Sequence, residues 1–213
     1  MSRFISHFNP FGPLVYYNSQ MIDKYSLTDT GKISPQFAPK GGVPKGTKPN
    51  TDIKPSQTAP VILSIGGERV IESAKWGFIP ENAKDNNSIF RYKTYNVASE
   101  NIFTKPSWAS VIRSQRCIIP ANGFYREKGP NNDKQTYLYS SNDDSLLGLA
   151  GIFNKWTDPE GMVWNIYSMI TADTYPILVA PDKIDDWLNP EIDDMNSLYE
   201  IMQPIDTSSL KIN

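Results

Sequence analysis

Short apolar runs bounded by glycine or proline are the feature that most constrains this fold. Residues 61–65 and 69–78 are two such runs, and Gly66-Gly67 between them suits the tight turn of a hairpin. Residues 117–119 form another run, read as a buried strand stopped by the turn-forming residues 120–123. Further strand-like runs occupy residues 135–139, 146–153 and 164–170. No βαβ alternation or internal repeat is present, so the sequence predicts an α+β fold with a mostly antiparallel, barrel-like β-sheet and a few short helices.

The remaining elements are predicted from local signals. A short strand is expected near residues 2–6, and helices over residues 107–113, 181–188 and 194–203, where proline or serine marks two of the helix starts. Residues 38–59 hold four prolines, three glycines and four lysines. This composition predicts a loop, and its length suggests that it covers or crosses a groove.

The length and charge of the chain set its class. At 213 residues it is read as one domain, residues 1–213, with a net charge of −2 that decides nothing about nucleic acid. Residues 75–134 carry a net charge of +5 (ten Lys/Arg, five Asp/Glu), whereas the acidic tail, residues 182–213, carries −6 (two Lys, eight acidic residues). Either this is ordinary surface variation, or a basic central face stands apart from an acidic tail.

Cysteine and histidine are too scarce for several kinds of site. Cys117 is the single cysteine and is expected to be a small core residue, and His7 is the single histidine. A His/Cys metal cluster is therefore excluded, and neither a metal nor another cofactor is expected. With no apolar run near 18 residues and no leader, we expect a cytoplasmic protein (nucleoid-associated if bacterial), with no membrane partner and a monomeric state.

The stretch 88–128 interleaves basic and aromatic residues. Cations that follow phosphates and rings that stack on bases suit single-stranded nucleic acid, although the same composition also occurs on solvated surfaces that bind nothing. The interleaved residues are Arg91, Tyr92, Lys93, Tyr95, Phe103, Lys105, Trp108, Arg113, Arg116, Phe124, Tyr125 and Arg126.

The order of several motifs resembles the SRAP family, the SOS-response-associated peptidase domains. The resemblance covers most of residues 50–190, with a weaker match at the start of the chain. Its motifs are Asp52-Ile53-Lys54-Pro55-Ser56-Gln57, Lys75-Trp76-Gly77-Phe78-Ile79-Pro80, Asn96-Val97-Ala98-Ser99-Glu100, Lys105-Pro106-Ser107-Trp108, Arg116 to Tyr125, Ala150-Gly151-Ile152-Phe153, Ile170-Thr171 and Pro176-Ile177-Leu178.

The resemblance implies a function. Family members bind single-stranded DNA at abasic sites, and the cysteine after the initiator methionine forms a thiazolidine crosslink with the open sugar aldehyde. An asparagine in an Asn-Ala-Arg-Ser-Glu motif, a glutamate after a Gly-Phe-Tyr turn and a histidine in a His-Xaa-Arg-Met-Pro loop complete the site. A self-processing peptidase activity is also attributed to the family.

This chain departs from that site pattern at most positions. Ser2 stands in the cysteine position, and Ala98 stands where the family has arginine. Arg126 stands where the catalytic glutamate belongs, with Glu127 one position late. Between Thr174 and Tyr175 about ten residues, the family histidine among them, are missing relative to the family pattern.

The resemblance, carried over residue by residue, gives the expected site. Ser2, Asn96 and Glu127 are the catalytic candidates. The DNA-binding candidates are Arg3, Pro55, Trp76, Arg91, Lys93, Arg113, Arg116 and Arg126. Ser2 cannot form a thiazolidine, but its α-amine, if Met1 is removed, has a pKa of about 7.7–8.0 and can form an imine with an aldehyde.

Three interpretations stay open from the sequence. The chain is an SRAP-type DNA-lesion protein whose crosslinking and peptidase activities are weakened or lost. Alternatively, it is an active SRAP enzyme with a rearranged site built on Ser2, Asn96 and Glu127. The third interpretation is a non-catalytic remnant of the fold that binds protein or nothing.

Overall fold

A computed structural model describes residues 21–79, 88–130, 133–204 and 206–213. The strands are β1 (Tyr25–Leu27), β2 (Asn50–Ile53), β3 (Thr58–Ile65), β4 (Glu68–Trp76), β5 (Asn96–Ala98), β6 (Arg116–Ala121), β7 (Gly123–Lys128), β8 (Gln135–Ser141), β9 (Leu147–Thr157), β10 (Val163–Ala172), β11 (Tyr175–Pro176) and β12 (Leu210–Ile212). The α-helices are α1 (Ile33–Phe37), α2 (Ser88–Arg91), α3 (Pro106–Ala109), α4 (Val111–Ser114), α5 (Ile184–Leu188) and α6 (Met195–Ile201). Short 3-10 turns lie at Thr30–Lys32, Ser99–Asn101, Pro181–Lys183 and Thr207–Ser209. The α+β class with a mostly antiparallel sheet is confirmed.

Five strands close into a barrel. The antiparallel pairs β4–β3, β3–β6, β6–β9 and β9–β10 follow one another around the ring. The ring closes where β10 runs parallel to β4, with Ile166 opposite Lys75 and Tyr167 opposite Trp76. β5 and β11 extend the ring by pairing with β10. The predicted hairpin is confirmed as β3 and β4, and closure leaves no free edge among these five strands.

A second, open sheet adjoins the barrel, with the strand order β12-β8-β7-β1-β2. The chain enters it directly from the barrel, because β6 ends at Ala121 and β7 begins at Gly123. The Asn122 carboxamide oxygen between them accepts hydrogen bonds from the backbone N–H groups of Thr28 (2.7 Å) and Asp29 (2.9 Å). In place of the predicted turn, a single residue therefore connects β6 of the barrel to β7 of the second sheet.

Two sequence expectations need correction. The stretch 38–59 is not all loop, since it contains β2 and the first residues of β3. The apolar Ile53 anchors β2, being 3% exposed and paired with Tyr25 of β1. The single helix expected over residues 107–113 is divided into α3 and α4 around Ser110. The helical stretch at 181–188 likewise begins as a 3-10 turn and continues as α5, and the helix expected over 194–203 is α6.

The core confirms the structural role of Cys117. Its side chain is fully buried in β6, and an added Cβ at Gly151 on the paired strand β9 would lie only 2.7 Å from its Sγ. Burial raises the pKa of the Cys117 thiol, so the group stays protonated at neutral pH. Within the described residues, no helix is long and apolar enough to cross a bilayer.

Arg116 is a buried cation at the start of β6. Its side chain donates to the carbonyls of Ile112 (2.7 Å) and Arg113 (2.5 Å), at the C-terminal end of α4, and to those of Trp187 (2.5 Å) and Asn189, at the C-terminal end of α5. Burial lowers the pKa of Arg116 to about 10, which leaves the guanidinium charged at neutral pH. Carbonyls at helix C-termini carry partial negative charge, so they stabilise a buried cation. Arg116 thereby joins both helices to the barrel.

Replacing Arg116 with lysine is expected to lower the free energy of unfolding by about 2–4 kcal/mol, because one ammonium group cannot reach carbonyls that lie around a planar fork. The measurement is the midpoint of urea unfolding. Arg113→Lys is the matched control, since Arg113 is exposed and donates to one carbonyl, that of Asp193. The control should change stability by about 1 kcal/mol or less. Equal midpoints for the two variants would contradict this role of Arg116.

Candidate functional site

A cavity of about 550 Å³ opens between the second sheet, the turn before β3 and the segment that precedes β5. Its size is that of a site for a small organic ligand or a single nucleotide. The residues that line it are Met21, Asp23, Lys24, Lys54, Pro55, Gln57, Phe90, Tyr95, Tyr125, Arg126, Glu127 and Thr136. Three of the predicted site residues, Pro55, Arg126 and Glu127, therefore meet here.

Strand β7 presents Arg126 on the same face as Phe124. Phe124 is fully buried beside Tyr175, with ring centroids 6.2 Å apart. The Arg126 guanidinium lies over the same Tyr175 ring, 4.2 Å from its centroid. Its Nη1 donates to the backbone carbonyl of Thr174 (2.9 Å) and to the Thr174 hydroxyl (2.5 Å). The side chain is therefore held in place by the connection between β10 and β11.

The opposite face of β7 carries Tyr125 and Glu127, because side chains alternate along a strand. Lys24 Nζ lies 4.2 Å from the Tyr125 ring centroid. The Glu127 carboxylate lies 3.7 Å from Lys134 Nζ. Glu127 lines the cavity, but it does not take the position of its neighbour Arg126, so a one-residue shift does not restore a carboxylate there.

Two lysines of the lining, Lys24 and Lys54, share one carboxylate, that of Asp52. Asp52 of β2 lies 2.8 Å from Lys54 Nζ and 3.9 Å from Lys24 Nζ. The hydrogen bond to Asp52 raises the pKa of Lys54, so its ammonium group is charged at neutral pH. With Arg126, the lining has three cations and the two carboxylates of Asp23 and Glu127, while Asp52 pairs with the lysines from outside the lining.

Asn96 follows Tyr95 in the chain, but unlike Tyr95 it is not a lining residue of the cavity. It is 6% exposed, and its Nδ2 donates to the carbonyl of Ile22 (2.6 Å). Its Oδ1 is buried and has no hydrogen-bond partner among the described residues. An unpaired buried amide oxygen costs about 1–3 kcal/mol. Burial, and secondarily the charge of Asp23, raises the pKa of Tyr95, so its phenol is neutral at pH 7.

The structure corrects the expectation that Trp76 contacts DNA. Trp76 is fully buried, with its ring packed against Tyr25 (centroids 5.1 Å apart) and Tyr167 (6.4 Å). Its indole Nε1 donates to the carbonyl of Tyr95 at 2.7 Å. A base cannot stack on a ring that has no exposed face. Trp76 instead lies in the core and fixes the backbone of Tyr95, which lines the cavity.

Arg116 is corrected for a related reason, since its burial and its bonds to helix carbonyls leave no accessible fork for a phosphate. Arg113 is exposed but contacts the carbonyl of Asp193 and does not line the cavity. Lys93 is exposed in the turn before β5, with a positive φ of 50°. The backbone of Arg91 ends α2, whereas Ser2 and Arg3 lie outside the described residues.

Other cavity residues were not among the sequence candidates. Lys24, Tyr125 and Phe90 line the cavity, and Phe90 is 54% exposed. Phe90 and Tyr125 belong to the stretch 88–128, and Lys54 belongs to the motif that contains Pro55, so their sequence neighbourhood was informative. Lys24 gave no local signal, because its place depends on the pairing of β1 with β7. Across the described residues, no group of three or more His, Cys, Asp or Glu side chains is arranged to hold a metal.

Comparison with known proteins decides the family. The profile described as SOS response associated peptidase (SRAP) matches residues 21–213. The chain belongs to the SRAP family. The abasic site processing protein YoqW of Bacillus subtilis is 30% identical over 189 residues, covering 83% of this chain and 81% of the relative. YobE of the same organism is 29% identical over 206 residues, covering 90% and 92%.

Solved structures share the SRAP fold seen here. A protein from Bacteroides thetaiotaomicron has a TM-score of 0.78 at 21% identity, covering 89% of this chain and 90% of the other. One from Bordetella bronchiseptica has a TM-score of 0.72 at 20% identity, covering 89% and 97%. At these identities the likeness shows the fold alone. The profile match begins at Met21, so it does not include Ser2 or Arg3.

Replacing Trp76 with phenylalanine is expected to lower the free energy of unfolding by about 1–3 kcal/mol, because the Tyr95 carbonyl loses its buried donor. Urea unfolding measures the change. Trp164→Phe is the control, since the Trp164 indole bonds the partly exposed Asp158 carboxylate (2.9 Å), which water can serve instead. The control should lose about 1 kcal/mol or less. A smaller loss at Trp76 than at Trp164 would contradict the supporting role.

Proposed function

We propose that this chain is an SRAP-type protein of the DNA damage response that binds single-stranded DNA at abasic sites. Its crosslinking and self-processing activities are weakened or lost relative to the family pattern. The proposal depends on one observation: three cations and several exposed or half-buried aromatic rings line the same cavity, which is large enough for a nucleotide. Such a lining binds phosphates and stacks bases without reading sequence.

The family relationship supports the DNA damage role. The bacterial relatives YoqW and YobE are both named abasic site processing proteins. A relative of the same description from Xenopus tropicalis, HMCES, is 30% identical over 156 residues, covering 60% of this chain and 46% of the relative. Relatives as distant from each other as these are all described as abasic site processing proteins. This favours DNA with abasic sites as the substrate class of this chain.

The residue chemistry supports the weakening of covalent chemistry. Cys117 is the only cysteine of the chain and is fully buried in the barrel, so no thiol is available at the cavity for a thiazolidine. Arg126 brings a cation to the position where the family pattern has a carboxylate, which removes a general acid or base worth typically 10²–10⁴-fold in rate. If Met1 is removed, the α-amine of Ser2 can still form an imine with a sugar aldehyde.

Asn96 supplies a polar group that fits this reduced chemistry. Its buried Oδ1 lacks a partner among the described residues, and its Nδ2 is fixed by Ile22. A fixed acceptor can orient an amine or a sugar hydroxyl without itself transferring a proton. Positioning would therefore survive where proton transfer does not.

The first test of the proposal is a denaturing gel of the protein mixed with single-stranded DNA that carries one abasic site, with and without borohydride. We expect a crosslinked band only with reductant, because borohydride reduces an imine to a stable amine and the buried Cys117 thiol cannot reach the cavity to trap it. A variant with Ser2→Cys should form a heat-stable band without reductant if the cavity still positions the N-terminus. A heat-stable band for the unaltered chain without reductant would refute the loss of crosslinking.

The second test is the salt dependence of binding. Replacing either Lys24 or Lys54 with glutamine should weaken binding to single-stranded DNA and reduce the slope of log K against log salt by about 0.7 for each phosphate that the protein no longer neutralises. Fluorescence anisotropy at several salt concentrations gives both values. Lys155→Gln is the control, because Lys155 is an exposed lysine of β9 that does not line the cavity. An unchanged slope in both cavity variants would remove the cavity from the DNA interface.

A further inference from the structure

Arg126 is held in the cavity lining by contacts with Thr174 and Tyr175. Its Nη1 carries two N–H groups, and both acceptors that it meets belong to Thr174. The Tyr175 ring lies under the guanidinium plane at 4.2 Å. The burial that raises the pKa of Tyr175 leaves its ring neutral at pH 7, so the contact is a cation resting on an aromatic face.

The rest of the guanidinium has donors to offer. Arginine has five N–H groups, of which three lie on Nε and Nη2. Those three donate to no described residue, and no described carboxylate forms an ion pair with Arg126. The neighbouring Glu127 lies on the other face of β7, beside Lys134. A half-buried guanidinium whose Nε and Nη2 have no acceptor among the described residues is suited to an anion.

The geometry of the Arg126 guanidinium and the charge of the cavity lining indicate which class of anion fits. Nε–H and Nη2–H point in parallel and match two oxygens of one phosphate. A phosphodiester has one negative charge, whereas a phosphomonoester has about −1.5 to −2 at pH 7 and three terminal oxygens. Because Arg126 is half-buried, its attraction to the second charge is screened less than at an open surface. Lys24 adds a second cation to the same lining.

We propose that Arg126 makes the cavity a receptor for a terminal phosphate of a DNA strand, so that this protein favours a lesion at a phosphorylated strand end. The inference rests on the proposed function, because it uses the same cavity and the same class of ligand. Arg126 forms two hydrogen bonds to the phosphate through Nε and Nη2, while Thr174 and Tyr175 hold the guanidinium in place. Binding, and no bond-making step, is assigned to Arg126.

The test measures fluorescence anisotropy with single-stranded oligonucleotides of one sequence. Each carries a tetrahydrofuran abasic analogue at one terminus, with a phosphate or a hydroxyl at that end, in separate 5′ and 3′ series. We expect the phosphate to tighten binding about tenfold in one series, which identifies the end that the cavity takes. Equal affinities for phosphate and hydroxyl ends in both series would overturn the proposal.

Substitutions at position 126 distinguish the contribution of the guanidinium geometry from that of its positive charge. In Arg126→Gln the phosphate preference should fall to about twofold or less, and Arg126→Lys should lose most of it because a lysine keeps the charge without the fork. Thr174→Val should lose part of it, because the fork is no longer held by the hydroxyl. Lys155→Gln should keep the full preference. A full preference in folded Arg126→Gln, with folding checked by circular dichroism, would also overturn the proposal.

An oligonucleotide with an internal abasic analogue and hydroxyl ends distinguishes this inference from the proposed function. Salt-dependent binding of that oligonucleotide, without any phosphate preference, means that only the end-recognition proposal has failed. Absence of salt-dependent binding to every oligonucleotide means that the proposed function has failed and that end recognition fails with it.

Discussion

The buried Trp76 joins the segments that form the cavity. Its backbone carbonyl accepts from Ser56 N–H (2.7 Å), and its N–H donates to the Gln57 carbonyl (2.9 Å), which fixes the turn before β3. Its indole Nε1 donates a hydrogen bond to the Tyr95 carbonyl. The next residue, Gly77, donates to the carbonyl of Tyr167 on β10 at 2.7 Å and has a φ of +139°, and a Cβ there would collide with Ile89. Barrel closure and cavity shape therefore depend on the same two residues.

The basic residues of the central stretch divide by burial into two physical roles. Arg116 is enclosed by helix carbonyls and stabilises the fold, whereas Arg126 is half-buried and only its Nη1 donates to a described residue. In sequence both are arginines next to an apolar strand run, and nothing in composition separates them. The distinction comes from tertiary contacts, since the partners of Arg116 near residue 187 and of Arg126 at residue 174 are remote along the chain.

Much of the fold was predictable from the sequence because the barrel strands are apolar runs with glycine or proline at their ends. β2 was missed because its one buried residue, Ile53, gives no periodic signal within a stretch rich in proline and lysine. Of the candidate site, Pro55, Arg126 and Glu127 were predicted through the family pattern. Trp76 was misassigned, because a motif position does not report whether its ring faces a ligand or the core. Lys24 depended on strand pairing that no local pattern encodes.

Two departures that the family resemblance implies lie side by side in the structure. By that resemblance, Arg126 stands where the family pattern has a carboxylate, and the histidine loop of the pattern falls between Thr174 and Tyr175. The Arg126 guanidinium bonds Thr174 and covers Tyr175. A carboxylate at position 126 would face the Thr174 carbonyl oxygen, so two acceptors would meet with no donor between them. The arginine instead satisfies that carbonyl and stacks on the ring beside it. A glutamate placed at position 126 alone would lack both the histidine of the family pattern and the hydrogen bonds that Arg126 makes to Thr174. The arginine and the short connection after β10 are therefore compatible with each other, whereas a glutamate is not compatible with that connection.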